Sequence, residues 1–225
     1  MADPFHIGFL LFPNLTQLDF TGPLQVLARL PGAKIHLVAK TKGPVETDCG
    51  PFLLADTDFT DCPALDLLCV PGGFGIDQAM QDAETIAFVK DQAAGARYVT
   101  SVCTGAFILG AAGLLEGRRA TTHWAWHAHL ARVGAEPVKA RVVRDGNLFT
   151  GGGVTAEIDF ALTITAEIAG EAVARAIQLG IEYDPAPPFD SGSPDVAEPE
   201  TLKLCESRYA GRVAEFEAAL AAALG

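Results

Sequence analysis

The sequence predicts an α/β fold in which helices sandwich a mostly parallel central sheet in three layers. Three observations favour this class. Short apolar runs of strand length alternate with stretches whose apolar residues recur at helical spacing. Most of the short runs are apolar throughout, as in strands that are buried on both faces. The 225 residues suffice for one large α/β domain with a sizeable core, and we expect a single domain over 1–225.

The first half of the chain supplies most of the parallel strands. The predicted strands read HIGFLLF, IHLVAK, LDLLCV and RYVTSV, and Val45 to Leu54 forms a small strand pair between the second and the third. PNLTQLDFTGP after the first strand is predicted to be a loop, and LQVLARL a short helix. AETIAFVKDQAA has the spacing of a surface helix, and TGAFILGAAGLL is predicted to form the helix after the fourth strand.

The second half adds a hairpin and several helices. RVVRDGNLFTGGG predicts a hairpin that turns at Asp145 and Gly146. AEIDFALTITAEIAG and EAVARAIQLGIEY predict two helices. Pro185 to Pro199 is expected to be a loop, and the chain to finish in a helical extension from about residue 200. The predicted arrangement is flavodoxin-like, and ligand sites in such sheets lie at the carboxyl ends of the strands.

The net charge disfavours two classes of partner, and the cysteine content indicates the cellular compartment. A formal net charge of −12 repels the phosphate backbone of nucleic acids and an anionic membrane surface. No apolar run approaches the roughly 20 residues that span a bilayer, and the N-terminus lacks the basic start of a signal peptide. The five cysteines are odd in number and include no C-x-x-C pair, which favours a reducing compartment. We therefore expect a cytoplasmic protein.

One cysteine lies where a strand gives way at once to a helix. Cys103 follows YVTSV and precedes TGAFILG, so it occupies a sharp turn, a nucleophile elbow, in which Gly105 relieves crowding. The N–H groups of the first helical turn favour a thiolate, and we expect the pKa of Cys103 to lie below about 8.5. The alternative is a buried cysteine that only packs at a helix start.

A nucleophile also needs hydrogen-bond donors for negative charge and a group that moves protons. The backbone N–H groups of Gly72 and Gly73, at the end of another central strand, and of Thr104 are candidate donors. A pair of glycines can also simply end a strand. Asp19 lies among apolar residues after the first strand, so its pKa should be raised, which suits acid–base work. A helix-capping role for Asp19 is the alternative.

The remaining titratable residues are weaker candidates. His123 stands beside tryptophan in TTHWAWH, a setting more typical of packing than of catalysis. Glu157 and Asp159 are expected on a solvated helix face. His123 and His127 lie four residues apart with His129 nearby, but no cysteine or H-E-x-x-H pattern accompanies them. We therefore expect no metal site.

Three separated motifs occur in the order found in one known superfamily. SVCTGAFILGAAGLLEGRRATTHW at the elbow, CVPGG at a strand end and LFPNLTQLDFTGP near the N-terminus resemble the ThiJ/PfpI superfamily, which has the class I glutamine amidotransferase-like fold. The resemblance covers about Ile7 to Tyr183. It implies a homodimer and neither a metal nor an organic cofactor.

Within the superfamily, ARYVTSVCTG, RATTHWA and RVVRDGNL resemble members that hydrate isocyanides. The resemblance implies that Cys103 is the nucleophile and Asp19 the acid of the first loop, with Thr104 and Val154 close to the cysteine. Peptidase relatives place a histidine directly after the cysteine. Thr104 stands there instead, which disfavours amide hydrolysis because a leaving amine then lacks a proton donor.

The resemblance, taken with these residues, implies that a small apolar isocyanide reacts with water to give an N-formyl amine, through a thioimidate on Cys103. Phe20, Phe74 and Trp126 are expected to line an apolar pocket, with His123 at its wall. A cysteine-based redox sensor and a glyoxalase- or deglycase-like enzyme stay open as alternatives. A transcription regulator is disfavoured because the acidic tail contains no basic recognition module.

Overall fold

The computed structural model describes residues 3–225 and places a seven-stranded sheet at the centre of that part of the chain. The strands in chain order are β1 (Phe5–Leu10), β2 (Ala33–Ala39), β3 (Gly43–Glu46), β4 (Phe52–Ala55), β5 (Thr57–Asp58), β6 (Leu67–Val70), β7 (Tyr98–Val102), β8 (Arg119–Ala120), β9 (Glu136–Pro137), β10 (Val142–Asp145) and β11 (Leu148–Gly151). Two pairs, β3 with β4 and β8 with β9, stand apart from the central sheet.

Across the central sheet the strands run in the order β10, β11, β7, β6, β1, β2, β5. Neighbours pair in parallel except β10 and β11, which form the predicted hairpin. Its two turn residues are Gly146 and Asn147 instead of the predicted Asp145 and Gly146, because Asp145 still pairs with Leu148. The predicted class, a mostly parallel sheet, is confirmed. From β1 the chain steps to β2 on one side, whereas from β6 it steps to β7 on the other. Because such crossovers are right-handed, the helices that follow β1 and β6 cover opposite faces.

Seven α-helices occur within residues 3–225: α1 (Gln17–Leu27), α2 (Ile76–Ala79), α3 (Ala83–Gly95), α4 (Ala106–Ala111), α5 (Ala156–Ala169), α6 (Glu171–Gly180) and α7 (Pro199–Leu224). Trp124–Val133 forms a 3-10 helix. α1 packs against α5, and α6 packs against α5 in turn. α3 and α4 pack together over β6 on the other face. With both faces covered, β6 and most of β1 are buried, which explains why these strands are apolar throughout.

The adjacent strands β1 and β6 mark the point at which the strand order reverses. Ligands of open α/β sheets bind in the crevice outside the carboxyl ends at such a point. α1 begins seven residues after β1, Gly72 and Gly73 follow β6, and Cys103 follows β7 directly. The fold therefore brings these three segments to one edge of the sheet.

Helix α1 corrects one expectation from the sequence. The segment up to Pro23 is predicted to be a loop, but the helix already begins at Gln17 and contains both Gly22 and Pro23. Its inner face is buried against the core, and this burial outweighs the weak helix propensity of those two residues. Asp19 consequently lies in the first helical turn.

The helix after Cys103 is shorter than its sequence predicts. A 3-10 turn spans Cys103–Gly105, and α4 ends at Ala111 shortly before Gly113, whose φ is +75°. Glycine tolerates this left-handed conformation, so it ends the helix at low cost.

The C-terminal helix α7 is the predicted extension, and it docks on the core. Phe216 and Leu220 are fully buried, and the ring of Phe216 meets that of Phe107 edge-on at 4.6 Å. α7 therefore covers α4 and reaches the edge of the sheet that carries Cys103. No helix within residues 3–225 is both long and apolar enough to cross a membrane.

Candidate active site

Cys103 occupies a strained turn between β7 and the 3-10 turn. Its φ is +54°, a left-handed conformation that residues with a side chain seldom adopt. Two contacts hold the backbone there: the Cys103 N–H donates to the carbonyl of Gly152 at 2.8 Å, and the Thr122 hydroxyl donates to the Cys103 carbonyl at 2.6 Å. The sequence predicts this elbow, and the structure contains it.

Gly105 makes the elbow possible because the turn lies directly against the end of β6. A Cβ at this position would overlap the carbonyl oxygen of Val70 and approach that of Pro71 to 2.7 Å. Neither carbonyl can yield, since both belong to the sheet end that positions Gly72. The absence of a side chain at Gly105 therefore sets the distance between the two segments.

We predict that Gly105→Ala destabilises the protein by about 1–3 kcal/mol, the usual cost of overpacking. Urea unfolding monitored by circular dichroism measures the change. Gly95→Ala is the matched control, because a Cβ at Gly95 meets nothing within 4 Å. Equal midpoints for the two variants would contradict the close approach.

Asp19 lies fully buried in the first turn of α1, beside the thiol of Cys103. Its Oδ2 accepts a hydrogen bond from the Gly72 N–H at 2.9 Å. Burial raises the pKa of Asp19 to about 7, while the Gly72 N–H and the neighbouring Cys103 thiol act in the opposite direction. The carboxyl is therefore close to half protonated at neutral pH, so it can both take and give a proton. This agrees with the raised pKa that the sequence predicts.

The two glycines predicted as donors for a substrate have other partners. The Gly72 N–H binds Asp19, and the Gly73 N–H donates to the Thr104 hydroxyl at 3.0 Å. Both N–H groups are already bound, so the prediction that they receive developing charge is wrong for this structure. Gly72 and Gly73 instead position the acid and the threonine. The Thr104 N–H remains a donor at the site and bonds the Cys103 sulfur.

The prediction of a lowered thiol pKa is also wrong. Burial and the neighbouring Asp19 carboxylate raise the pKa of Cys103 well above its ordinary value, and the Thr104 N–H offsets this only in part. The helical segment that begins at Cys103 is a 3-10 turn of only three residues, and Cys103 as a whole is 5% exposed. Desolvation therefore outweighs the dipole. Asp19 and Cys103 form a coupled pair in which the thiol ionises by giving its proton to the carboxylate.

A cavity of about 350 Å³ opens onto the cysteine. Six of the residues predicted for the site of the nucleophile line it beside Cys103, namely Gly73, Phe74, Thr104, His123, Trp126 and Val154. Phe20 does not line the cavity: it faces the core and meets Phe9 edge-on at 5.3 Å. Since α1 turns Asp19 towards the elbow, its neighbour Phe20 points to a different side of the helix.

The C-terminal helix supplies a wall that sequence analysis does not identify. Tyr209, Arg212 and Phe216 of α7 line the cavity. Arg212 donates to the Phe74 carbonyl at 2.9 Å, and its guanidinium lies 5.0 Å from the Phe74 ring, so it ties α7 to the loop after β6. The pattern of α7 marks a helix, but no feature of it indicates which cavity the helix closes.

His123 is a neutral member of an aromatic wall. Its Nδ1 accepts from the Ala125 N–H at 3.2 Å, which places the ring proton on Nε2. Burial lowers its pKa to about 4. The ring lies 5.2 Å from that of Trp126 and 5.6 Å from that of Tyr209. His123 therefore does not serve as a charged partner for the cysteine.

Glu157 differs most from its sequence interpretation. It is predicted on a solvated helix face, but the side chain is 0% exposed because α5 turns it towards α1. Burial raises its pKa to about 8. Asp159 is only partly exposed and bonds Arg141 and the Tyr183 hydroxyl, the latter at 3.0 Å. No group of three His, Cys, Asp or Glu side chains suited to a metal ion occurs among residues 3–225.

A strained cysteine elbow beside a buried carboxyl, at the switch point of a parallel sheet, defines a three-layer α/β protein with a cysteine site. The chain belongs to the DJ-1/PfpI family, whose model matches residues 6–167. The superfamily predicted from the three motifs is thereby confirmed.

Several individual relatives cover most of the chain. The isonitrile hydratase of Pseudomonas putida is 59% identical over 205 residues, which make up 91% of this chain and 90% of that protein. A crystal structure of a ThiJ/PfpI family protein from Pseudomonas syringae matches with a TM-score of 0.94 at 44% identity, covering 98% of this chain and 91% of that one. Drosophila melanogaster DJ-1beta matches with a TM-score of 0.70 at 25% identity, covering 81% and 98%.

Proposed function

We propose that this protein is a hydratase that converts isocyanides (isonitriles) and water into N-formyl amines, with Cys103 as nucleophile and Asp19 as general acid and base. The observation that carries the proposal is the placement of the buried Asp19 carboxyl and of Cys103 against the same residue, Gly72, with Cys103 lining a largely apolar cavity. The name of the Pseudomonas putida relative supports the same reaction.

In the first step the pair adds to the terminal carbon of R–N≡C. The ionised Asp19 takes the thiol proton, the sulfur forms a bond to that carbon, and Asp19 returns the proton to the same carbon. The product is a thioimidate, R–N=CH–S–Cys103, and the carboxylate is regenerated. Because the pKa of Asp19 is about 7 and that of Cys103 is raised well above its ordinary value, about half of the molecules at neutral pH hold the thiol beside an ionised carboxyl, which is the form that reacts without an external base.

In the second step water adds to the thioimidate carbon. Asp19 takes one proton from the water as its oxygen bonds to carbon, and passes that proton to the nitrogen. The tetrahedral species R–NH–CH(OH)–S–Cys103 then collapses. The carbon–sulfur bond breaks, the hydroxyl proton returns to the pair, and R–NH–CHO leaves. One water is consumed, and the thiol is restored.

The site lacks what amide hydrolysis requires. Thr104 follows the cysteine directly, and His123 is neutral and hydrogen-bonded to Ala125 through Nδ1. An amide leaving group would therefore find no imidazolium to protonate it. Isocyanide hydration expels no amine, so a single carboxyl beside the thiol suffices.

The alternative functions find less support in the site. A redox sensor needs a thiolate that persists at neutral pH, whereas the raised pKa of Cys103 keeps this sulfur as a thiol. A glyoxalase- or deglycase-like enzyme needs a polar pocket, whereas the apolar part of this wall, with Phe74, Trp126 and Phe216, exceeds the polar part, to which Asp48, Asp77 and Arg212 contribute. Isocyanides are compact and apolar, which suits the cavity better.

We predict that kcat/KM rises as pH increases through about 7, because protonated Asp19 cannot take the thiol proton. It should fall again only at a pH above the ordinary thiol range of about 8.5, where the pair loses its last proton. Initial rates between pH 5 and 10 measure both the rise and the fall of kcat/KM. A rate that is flat through pH 7 would contradict the role of Asp19.

The proposal as a whole is tested by turnover. The purified protein is incubated with a simple alkyl isocyanide, and N-formyl amine is quantified by liquid chromatography and mass spectrometry. We expect product in proportion to enzyme and time. No product above the buffer rate, with alkyl and aryl isocyanides alike, would overturn the proposed function.

We further propose that the protein acts in the cytoplasm as a homodimer. The five free cysteines, Cys103 among them, support a reducing compartment. The dimer is inferred from the family resemblance. Light scattering coupled to size exclusion tests it, and a mass near 23.6 kDa at micromolar concentration would exclude it.

A further inference from the structure

We propose that Glu157 is a positioning residue for Asp19: its buried side chain, as the neutral acid, donates a hydrogen bond to the free carboxyl oxygen of Asp19. The catalytic meaning of this contact rests on the proposed function. The contact itself stands on the packing of α1 against α5.

The first argument is an unsatisfied buried acid. Glu157 is the second residue of α5 and is fully buried, yet neither of its carboxyl oxygens has a hydrogen-bond partner within residues 3–225. Buried polar groups in proteins nearly always have a partner, and an unpaired buried carboxylate is costly. The Glu157 carboxyl should therefore be protonated, and its proton should have a hydrogen-bond acceptor.

The second argument is the place at which the side chain meets α1. A Cβ on Gly22 would lie 2.5 Å from Cγ and 2.6 Å from Oε1 of Glu157, so the carboxyl occupies the space that a side chain at Gly22 would fill. Gly22 lies three residues after Asp19 on α1, and such residues share one helix face about 5–6 Å apart. Gly22 thus admits Glu157 to the neighbourhood of Asp19.

The third argument is the complementary oxygen on Asp19. Its Oδ2 accepts from Gly72, but its Oδ1 is buried and without a partner among the described residues. Two ionised carboxylates could only repel each other, whereas one proton on Glu157 satisfies both. The hydrogen bond can run directly or across one water. Burial, with the charge of Asp19, raises the pKa of Glu157 to about 8, so it carries that proton at neutral pH.

Other titratable groups that face Glu157 do not compete for its proton. They are Cys69, Arg141 and Asp159. Cys69 is neutral because burial raises its pKa to about 12. Arg141 bonds Asp159 and Thr155, and Asp159 has one oxygen on Arg141 and the other on Tyr183. Of the titratable groups around Glu157 in the described part of the chain, Asp19 is therefore the one with an oxygen, Oδ1, that is free to accept a hydrogen bond.

The two carboxyl groups therefore have different roles: Asp19 moves protons, and Glu157 sets the pKa of Asp19. A donor on Oδ1 stabilises ionised Asp19, which offsets part of the burial that raises its pKa. Without Glu157, Asp19 would hold its proton to higher pH and would accept the thiol proton less readily. Glu157 therefore keeps the acid–base group active near neutral pH without touching the substrate.

The test compares Glu157→Gln, which keeps a donor, with Glu157→Leu, which keeps the bulk and removes it. Wild type and both variants are alkylated with iodoacetamide from pH 5 to 10, and the rate at Cys103 is followed by peptide mass spectrometry. This rate should follow Asp19 ionisation and requires no isocyanide. Thermal unfolding checks the fold, and Glu157→Met replaces the leucine variant if that one fails to fold.

We expect the midpoint of the alkylation profile to move up by about one pH unit in Glu157→Leu and to stay near wild type in Glu157→Gln. Unmoved profiles in both variants, or equal shifts in both, would overturn the proposal, because they would leave Glu157 as packing alone. Isocyanide turnover by wild type is measured in the same buffers. A protein that makes no N-formyl amine refutes the proposed function, whereas the alkylation profiles decide the carboxyl contact separately.

Discussion

Cys103→Ala is expected to reduce N-formyl amine formation by at least about 10⁴-fold, to the level of the buffer. The reason is that the variant retains the cavity and the acid but lacks the sulfur that bonds to the isocyanide carbon. No second cysteine can replace it, since no other cysteine lines the cavity in the described part of the chain. Product formation over hours at high enzyme concentration measures the residual rate.

Cys62→Ala is the control for this experiment. Cys62 is half-buried, lies beyond β5 and does not line the cavity. Its replacement should leave turnover within about twofold of wild type. If Cys103→Ala kept more than a few per cent of the wild-type rate, covalent catalysis by this residue would be excluded.

Asp19→Asn is expected to reduce kcat by about 10²–10⁴-fold, the usual contribution of a positioned acid or base. The amide can occupy the same space, but it can neither take the thiol proton nor protonate carbon. The rise in rate through pH about 7 should disappear with the carboxyl. Asp91→Asn, on the exposed surface of α3, serves as control and should keep both the rate and the pH profile.

The same variant, Asp19→Asn, is expected to lose activity but to gain stability against unfolding. The pKa of Asp19 is about 7 in the folded protein and about 4 in an unfolded chain, so the folded state binds its proton more tightly. The stability that this proton contributes is present below pH 4 and is lost as pH rises to 7. Asp19→Asn should therefore gain stability at pH 8, by a few kcal/mol, while losing activity. Urea unfolding at pH 8 that shows a less stable variant would contradict this.

The fold could be predicted because a strand that is buried on both faces has an uninterrupted apolar sequence. The runs at β1, β6 and β7 are apolar throughout, and the elbow at Cys103 follows from a strand that meets a helix without a loop. The start of helix α1 could not be predicted from the local sequence alone. Gly22 and Pro23 lower its helix propensity, and only packing against the sheet and α5 compensates for them.

Side-chain direction was the less predictable part of the site. Phe20 is adjacent to Asp19 in sequence, but a helix rotates neighbours by about 100°, so it joined the core. Glu157 has the spacing of an exposed residue, and its burial depends on the missing side chain of Gly22, far away in the chain. Tyr209, Arg212 and Phe216 reach the cavity only because α7 folds back over α4.

The pKa of Cys103 shows how two effects of one turn compete. The open N–H groups at a helix start favour a thiolate, and the Thr104 N–H does bond the sulfur. The turn also buries the sulfur against an acidic neighbour, and this effect is larger. Ionisation of the thiol is therefore linked to protonation of Asp19, and a permanently charged cysteine is not required.

Rapid acid quench of the first turnover tests the covalent mechanism most directly. Wild-type protein is mixed with excess alkyl isocyanide, quenched between milliseconds and seconds, digested and mapped by mass spectrometry. The account predicts that the peptide bearing Cys103 gains the full mass of the isocyanide, since the thiol adds across the carbon, before N-formyl amine is released. Release of product with Cys103 unmodified at every quench time, or an adduct on another cysteine alone, would contradict it.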